Sequence, residues 1–338
     1  MKRHLLTLLL CFASMVYAQG QDNKTLSFVD VNYIQDFPRQ PISNFGINYV
    51  YHGLEEFEKN GGGTPEEYIA QQNQKLCDIG IGWVRSAGPG DLTSLNWANV
   101  EPQRGVFDFA LSDLRVKGSS VFDLHLLGNV DFSTVPAYAQ APGTYFDDTM
   151  YLKYLNKIVE RYDGDGVDDM PGLTRRIKYW EIGNEVVVKT KFAGTPQDYA
   201  HVLKISYENI KANCPDCQVV IGGWIIGTGE EGQWQRSIDY FDQVLAAGGG
   251  NYFDIVNYHE YTAGCDFLTY FHVNEFKRYL AMYGFDKPMW LQRVILRCSK
   301  MASRSRGSRA HVLPCPCPPA SPLPLAWCAS TPTKGVQS

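Results

Sequence analysis

The sequence predicts an α/β fold: a TIM (β/α)8-type barrel that is incomplete, with about seven strands present and the eighth unit missing. Two observations carry this. Short β-rich runs alternate with longer amphipathic runs, the pattern of repeated βα units on a parallel sheet. The alternation then stops after Leu291, where the composition changes.

In chain order, strands are predicted at Phe45–Tyr51, Gly82–Ser86, Val121–Gly128, Ile177–Glu185, Gln218–Trp224, Phe253–Tyr261 and Lys287–Leu291. Helices are predicted between them. Thr64–Ile79 opens on Thr-Pro-Glu-Glu, a cap with proline at the first helical position. Asp148–Tyr162, Thr195–Asn213, Trp234–Ala247 and Phe267–Tyr283 follow in the same rhythm. The segment between the second and third strands is longer, with Trp97 and Glu101-Pro102 in a loop.

The last part of the chain is of another kind. Asp286 is the last acidic residue, although the chain carries 36. Ser303-Arg304-Ser305-Arg306-Gly307-Ser308-Arg309 and Pro314-Cys315-Pro316-Cys317-Pro318-Pro319 follow instead. Neither has the period of a helix or strand, and the proline density of the second forbids both. One reading is a basic, disordered tail that binds phosphate or nucleic acid. The preferred reading is that these codons lie outside the gene's proper frame. Residues 19–295 are thus expected to form the barrel domain, and 296–338 a non-native or disordered basic, Pro/Cys-rich tail.

Residues 1–18 read as a signal peptide. Met1-Lys2-Arg3 is a basic start, Leu5 to Val16 an apolar run, and Val16-Tyr17-Ala18 offers small residues for cleavage. The run is shorter than the roughly 20 apolar residues that a membrane span needs. A secreted or periplasmic protein with no membrane anchor is expected. A net charge of −5 argues against nucleic acid as a partner. The aromatic share, 13% with 20 Tyr and 7 Trp, leans toward a carbohydrate substrate, because ring faces stack on the apolar faces of sugars. Core packing accounts for most of those rings. Cys214-Pro-Asp-Cys217 could close a small disulfide in an exported protein. A redox role fits poorly, since the pair follows a helix and precedes a strand.

The strongest motif is Tyr179-Trp180-Glu181-Ile182-Gly183-Asn184-Glu185, on the fourth strand. Gly82-Trp83-Val84-Arg85 on the second strand accompanies it, as does Asn96-Trp97-Ala98-Asn99-Val100-Glu101-Pro102-Gln103-Arg104-Gly105-Val106-Phe107-Asp108 in the following loop. Asp254-Ile255-Val256-Asn257-Tyr258-His259-Glu260-Tyr261 and Lys287-Pro288-Met289-Trp290-Leu291 lie on the sixth and seventh. Together, over roughly residues 40 to 291, these segments resemble the retaining glycoside hydrolases called clan A, which include cellulase-like and β-xylosidase-like enzymes. The resemblance implies hydrolysis of O-glycosidic bonds in β-linked poly- or oligosaccharides, with no organic cofactor.

Retaining hydrolysis uses two carboxyl groups about 5–5.5 Å apart, one an acid/base and the other a nucleophile. A barrel presents such groups from the C-terminal ends of different strands. Side-chain alternation puts Glu181, Gly183 and Glu185 on one face of the fourth strand. Glu185, at the C-terminal end, is the expected acid/base; Glu181, one layer deeper, is expected in the barrel core. Alternation turns Asn184 outward, so the contact with the sugar 2-hydroxyl that the resemblance implies needs a bulge or strand end there. The resemblance also implies that Arg85 orients the seventh-strand carboxylate and that His259 and Tyr261 line the cleft. The structural alternatives are a buried ion pair, a hydrogen-bonded core histidine and ordinary packing. Trp97 and Trp224 are candidate sugar platforms, weighed against core packing. Glu260 alternates away from the cleft.

The resemblance places the nucleophilic glutamate two residues after Leu291, where this sequence has Gln292-Arg293. Arg293 cannot attack an anomeric carbon. A guanidinium near Glu185 would also lower that carboxyl's pKa, whereas a general acid needs it raised. The chain as given is expected to be inactive; the alternative is a non-catalytic, carbohydrate-binding pseudo-enzyme. Separately, Asp163-Gly164-Asp165-Gly166-Val167-Asp168-Asp169 resembles part of a calcium loop. It has valine where a third alternating ligand belongs and lacks the closing glutamate. Asp163, Asp165 and Asp169 are candidate ligands of a structural calcium, against an acidic surface turn.

Overall fold

The computed structural model describes residues 45–48, 54–86, 91–140, 145–227, 232–260, 266–294 and 326–329. The chain runs through β1 (Phe45–Asn48), α1 (Leu54–Lys59), α2 (Pro65–Asp78), β2 (Trp83–Ser86), α3 (Trp97–Val100), α4 (Ala110–Val121), β3 (His125–Val130) and α5 (Asp148–Tyr162). It continues with β4 (Tyr179–Asn184), α6 (Pro196–Asn213), β5 (Gln218–Gly227), α7 (Gln233–Ala246), β6 (Val256–Glu260), α8 (Asp266–Met282), β7 (Met289–Val294) and β8 (Ala326–Ala329). Strands β1 to β7 are parallel, and each pairs with the next in sequence. The seven predicted strands are all present.

No eighth βα unit follows β7 among the described residues. Its place is held by β8, which lies antiparallel between β7 and β1 and closes the ring. The sequence pattern gave no sign of this strand, which falls within residues 296–338. An open barrel leaves a row of unpaired N–H and C=O groups on β1 and β7, and a short extended segment can satisfy them without any amphipathic pattern.

Other local assignments differ from expectation. Val121 ends a helix instead of opening a strand and is 71% exposed, while β3 begins at His125. Helix α4 escaped the pattern because its buried face is largely polar: Ser112, Arg115 and Ser119 line it beside Val116. Arg115 pairs there with Asp91, and its Nε donates to Thr93 Oγ1 at 2.9 Å. Trp97, expected in a loop, sits in the single turn of α3.

Local chemistry accounts for the predicted helices. Thr64 and Glu67 form a reciprocal capping box at the start of α2, with Pro65 in the first turn. Thr195, Asp198 and Pro196 repeat the device on α6. Cys214 and Cys217 are joined in a disulfide between α6 and β5, in the expected helix-to-strand setting. No helix among the described residues is long and apolar enough to cross a membrane.

Strand alternation sorts the core into two layers. Trp180, Ile182, Val219, Ile221, Val256 and Tyr258 belong to the large cluster between strands and helices. Trp83, Leu127, Val220, Ile255 and Trp290 form a second cluster with Tyr179, filling the barrel interior. The Trp83, Tyr179 and Trp290 rings lie 5.1–5.4 Å apart and plug the N-terminal half of the barrel. The next inward residues toward the C-terminal end are polar, and the candidate site begins there.

His125, at the start of β3, stacks on Trp83 at 4.5 Å, and its Nε2 is 3.0 Å from Arg175 Nη1. Burial lowers its pKa, so the folded state prefers the neutral ring. The stability this contributes is present above the unfolded pKa of about 6.5 and is lost as pH falls through the lower folded value. Urea midpoints measured from about pH 7 to pH 5 should therefore fall less steeply in His125→Gln than in the parent chain.

Candidate active site

Above the aromatic plug, Glu181 of β4 is fully buried. Its Oε2 accepts hydrogen bonds from Arg85 Nε at 2.6 Å and Asn129 Nδ2 at 2.9 Å. Its Oε1 accepts from the Gly223 N–H and from Asn257 Nδ2, both at 2.8 Å. These donors come from β2, β3, β5 and β6. The core placement expected for Glu181 matches, and the carboxylate is committed to holding strands. Asn129 and Asn257 were not singled out in the sequence. Their signal was an inward-facing polar residue at strand period in an otherwise apolar run, with Asn257 two residues before His259.

Glu185 directly follows the C-terminal end of β4. Its side chain is 12% exposed, and its Oε1 lies 2.8 Å from Nδ1 of the fully buried His259 on β6. The backbone reaches this position through Gly183 at φ +86°, Asn184, and Glu185 itself at φ +51°. A left-handed conformation is uncommon for glutamate, costs about 1–3 kcal/mol and clusters at functional sites. The twist at Gly183 also breaks strict alternation. Asn184 consequently faces Arg85, whose Nη2 donates to Asn184 Oδ1 at 2.9 Å. This is the strand-end irregularity that an inward Asn184 needs.

Neighbouring residues accommodate the twist. Tyr199 of α6, fully buried, donates from its hydroxyl to the Ile182 carbonyl at 2.7 Å and accepts from the Gly222 N–H at 2.9 Å. It thereby bridges β4 and β5 where β4 deviates. The Glu185 N–H donates to the Gly223 carbonyl at 3.0 Å. A Cβ at Gly223 would stand 2.1 Å from His259 Nε2, so only glycine leaves room for the imidazole. Tyr199, Gly222 and Gly223 carry no chemical group that marks a site in sequence.

The other candidates divide. Arg85 is 2% exposed and is bonded to Glu181 and Asn184, the buried ion pair that was its structural alternative. Trp97 is buried: it stacks on Tyr154 at 5.1 Å, and its Nε1 donates to Glu101 Oε2 at 2.7 Å. Trp224 is also buried, between β5 and α7, with Nε1 donating to the Ser237 carbonyl at 3.1 Å. Neither ring offers a free face, which corrects the expectation of sugar platforms: both point to the helix layer. Glu260 is bonded to His272 of α8 at 2.7 Å, facing away from the barrel interior as alternation required. Tyr261 lies outside the described residues.

Position 293 is placed by its backbone. Arg293 pairs with His259 across β6 and β7, after a register shift that passes over Gln292. Bulges of this kind recur beside active sites, where they re-aim a chain. The expected nucleophile position is therefore next in register to the residue that holds Glu185.

A cavity of about 330 Å³ opens between the segments that follow β3 and β4. Phe132, Tyr145, Phe146 and Phe192 line it together with Lys189, Lys191 and Gln140. It is aromatic-walled, close in sequence to Glu185, and its lining does not include Glu185 itself. At the opposite end of β4, Asp163, Asp165 and Asp169 come together. Burial, assisted by the carboxylates of Asp165, Glu160 and Asp169, pushes the Asp163 carboxyl up to about 6.

No family model matches the chain. Solved structures similar to it include a glucosidase from Croceicoccus marinus, at 18% identity and a TM-score of 0.48, covering 69% of this chain and 47% of that one. A family 39 glycoside hydrolase from Bacteroides cellulosilyticus WH2 matches at 20% identity and a TM-score of 0.43, covering 64% of this chain and 38% of that one. An endo-β-1,4-xylanase of glycoside hydrolase family 10 from Gloeophyllum trabeum matches at 14% identity and a TM-score of 0.47, covering 73% and 72%. These neighbours are glycoside hydrolases, and this chain spans less than half the length of the first two.

Replacing Glu181 by Gln should cost about 3–5 kcal/mol of stability, because it leaves the Arg85 charge buried without its counter-ion. Chemical denaturation of the two chains measures it. Gly223→Ala should cost about 1–3 kcal/mol through overpacking against His259, read as a lower melting temperature.

Proposed function

We propose that this chain is an exported protein of retaining glycoside hydrolase lineage, directed at β-linked poly- or oligosaccharides, with Glu185 as the acid/base. The reading rests on one observation: the Glu185 carboxyl at the C-terminal end of β4, sheltered, held 2.8 Å from His259, and carried on a left-handed backbone. Glu181 cannot take the role, since its oxygens are engaged by four strands. In the working mechanism of this lineage Glu185 protonates the glycosidic oxygen as its bond to the anomeric carbon breaks. The leaving group departs as an alcohol, and a carboxylate on β7 bonds to that carbon. Water then breaks this new bond while Glu185 takes its proton. Arg85 and Asn184 order the cleft floor beside Glu185, and His259 fixes the carboxyl's orientation.

Arg293 stands where that β7 carboxylate belongs, and this favours the second reading for the chain as given: sugar binding without turnover. The residues beyond β7 fit a departure from the gene's frame, and the nucleotide sequence read in the other two frames past codon 291 should continue β7 with a glutamate.

Purified protein should not hydrolyse aryl β-glycosides above the buffer rate. Robust turnover that disappears in Glu185→Gln would overturn the inactivity. Arg293→Glu is expected to create measurable hydrolysis with retained anomeric configuration, lost again on adding Glu185→Gln. If Arg293→Glu folds with an unchanged melt, yet neither chain cleaves or binds any glycan on an array, the glycoside reading fails.

A further inference from the structure

The loop between α5 and β4 holds acidic residues that the cleft does not use. It meets β4 at the strand's N-terminal end, opposite to Glu185. Asp163, Asp165 and Asp169 each bring a carboxylate oxygen within 4.8 Å of the others. Two oxygens bound to one calcium at about 2.3–2.6 Å can stand up to about 5 Å apart. The spacing fits.

Acidic residues cluster on many surfaces without a ligand, and Asp163 separates this cluster from those. It is 1% exposed, and its Oδ2 is buried with no hydrogen-bond partner. Its Oδ1 is bonded to the Asp165 N–H at 3.3 Å, which turns the carboxylate into the loop. A buried carboxylate oxygen without a donor is expensive, and such groups are ordinarily paired or bound to a metal. Nearby side-chain cations are engaged elsewhere: Lys157 lies 3.8 Å from Asp168, and Arg176 Nη1 donates to Asp216 at 2.9 Å. Asp165 and Asp169 are meanwhile positioned by the chain itself. The Val167 N–H donates to Asp165 Oδ1 at 2.8 Å, and the Gly164 and Gly166 N–H groups donate to Asp169 at 3.0 and 2.8 Å.

We propose that Asp163, Asp165 and Asp169 form a calcium site that ties the end of α5 to the approach to β4. Three hard oxygen donors with no nitrogen or sulfur among them select calcium over transition metals. Magnesium retains most of its waters and needs near-octahedral geometry, so a three-carboxylate loop suits it less. The site lies away from the cleft, and its role is to stabilise the strand that carries Glu181 and Glu185. It stands independently of the proposed activity.

The test uses the full chain, stripped with chelator and titrated with calcium chloride by calorimetry and by thermal melting. One calcium per chain is expected, with a melting temperature raised by about 5 °C or more at a hundredfold excess over Kd. Asp165→Asn should bind at least tenfold more weakly and lose the shift, while its calcium-free melt stays at or above that of the parent. A parent chain showing no heat and no shift overturns the proposal, whatever the variant does. So does an Asp165→Asn chain that binds as tightly as the parent. An equal shift with magnesium at the same concentration overturns the assignment to calcium.

Discussion

The candidate site depends on a single buried negative charge. Glu181 ties β4 to β2 through Arg85, to β3 through Asn129, to β5 through the Gly223 N–H and to β6 through Asn257. Burying a carboxylate costs several kcal/mol, which its partners must offset with good geometry. Here a guanidinium supplies the counter-charge, and neutral donors fill the remaining lone pairs. Such a pair contributes less to net stability than an apolar replacement could. What it fixes is register, since a slip of one residue in any of these strands would strand a charge or an amide in the core.

That fixed register is inherited by the residues one layer above. Asn257 and His259 lie two apart on β6, so the strand that donates to Glu181 also delivers the imidazole to Glu185. Gly223 does the same on β5: its N–H serves Glu181, its carbonyl receives the Glu185 N–H, and its missing side chain leaves room for His259. The left-handed backbone at Glu185 is affordable because these contacts over-determine it. A group that must hold and release a proton at a set position benefits from a carboxyl whose orientation is settled before any ligand arrives.

The sequence made the order of elements legible because alternating hydrophobic period and helix caps are local signals. Thr64, Pro65 and Glu67 announce α2 without help from the rest of the chain. Helix α4 was missed because Arg115, Ser112 and Ser119 take core positions that apolar residues usually hold, and their partners Asp91 and Thr93 are distant in sequence. Glu185 was legible from its place at a strand end. The environment of Glu185 was not. Tyr199 and Gly223 act through a hydroxyl between strands and through absent volume, and neither shows until the strands are assembled. Trp97 and Trp224 misled for the opposite reason, since a large aromatic ring suits a sugar face and a helix–sheet interface equally well.

The described scaffold around Glu181 and Glu185 is drawn from five neighbouring strands, β2 to β6. None of Glu181's bonded partners described above comes from β7, and the His259–Glu185 contact joins β6 to β4. Position 293, in backbone register with His259, lies beside that assembly. On the proposed reading, Arg293 at that position withholds the carboxylate nucleophile that retaining hydrolysis needs.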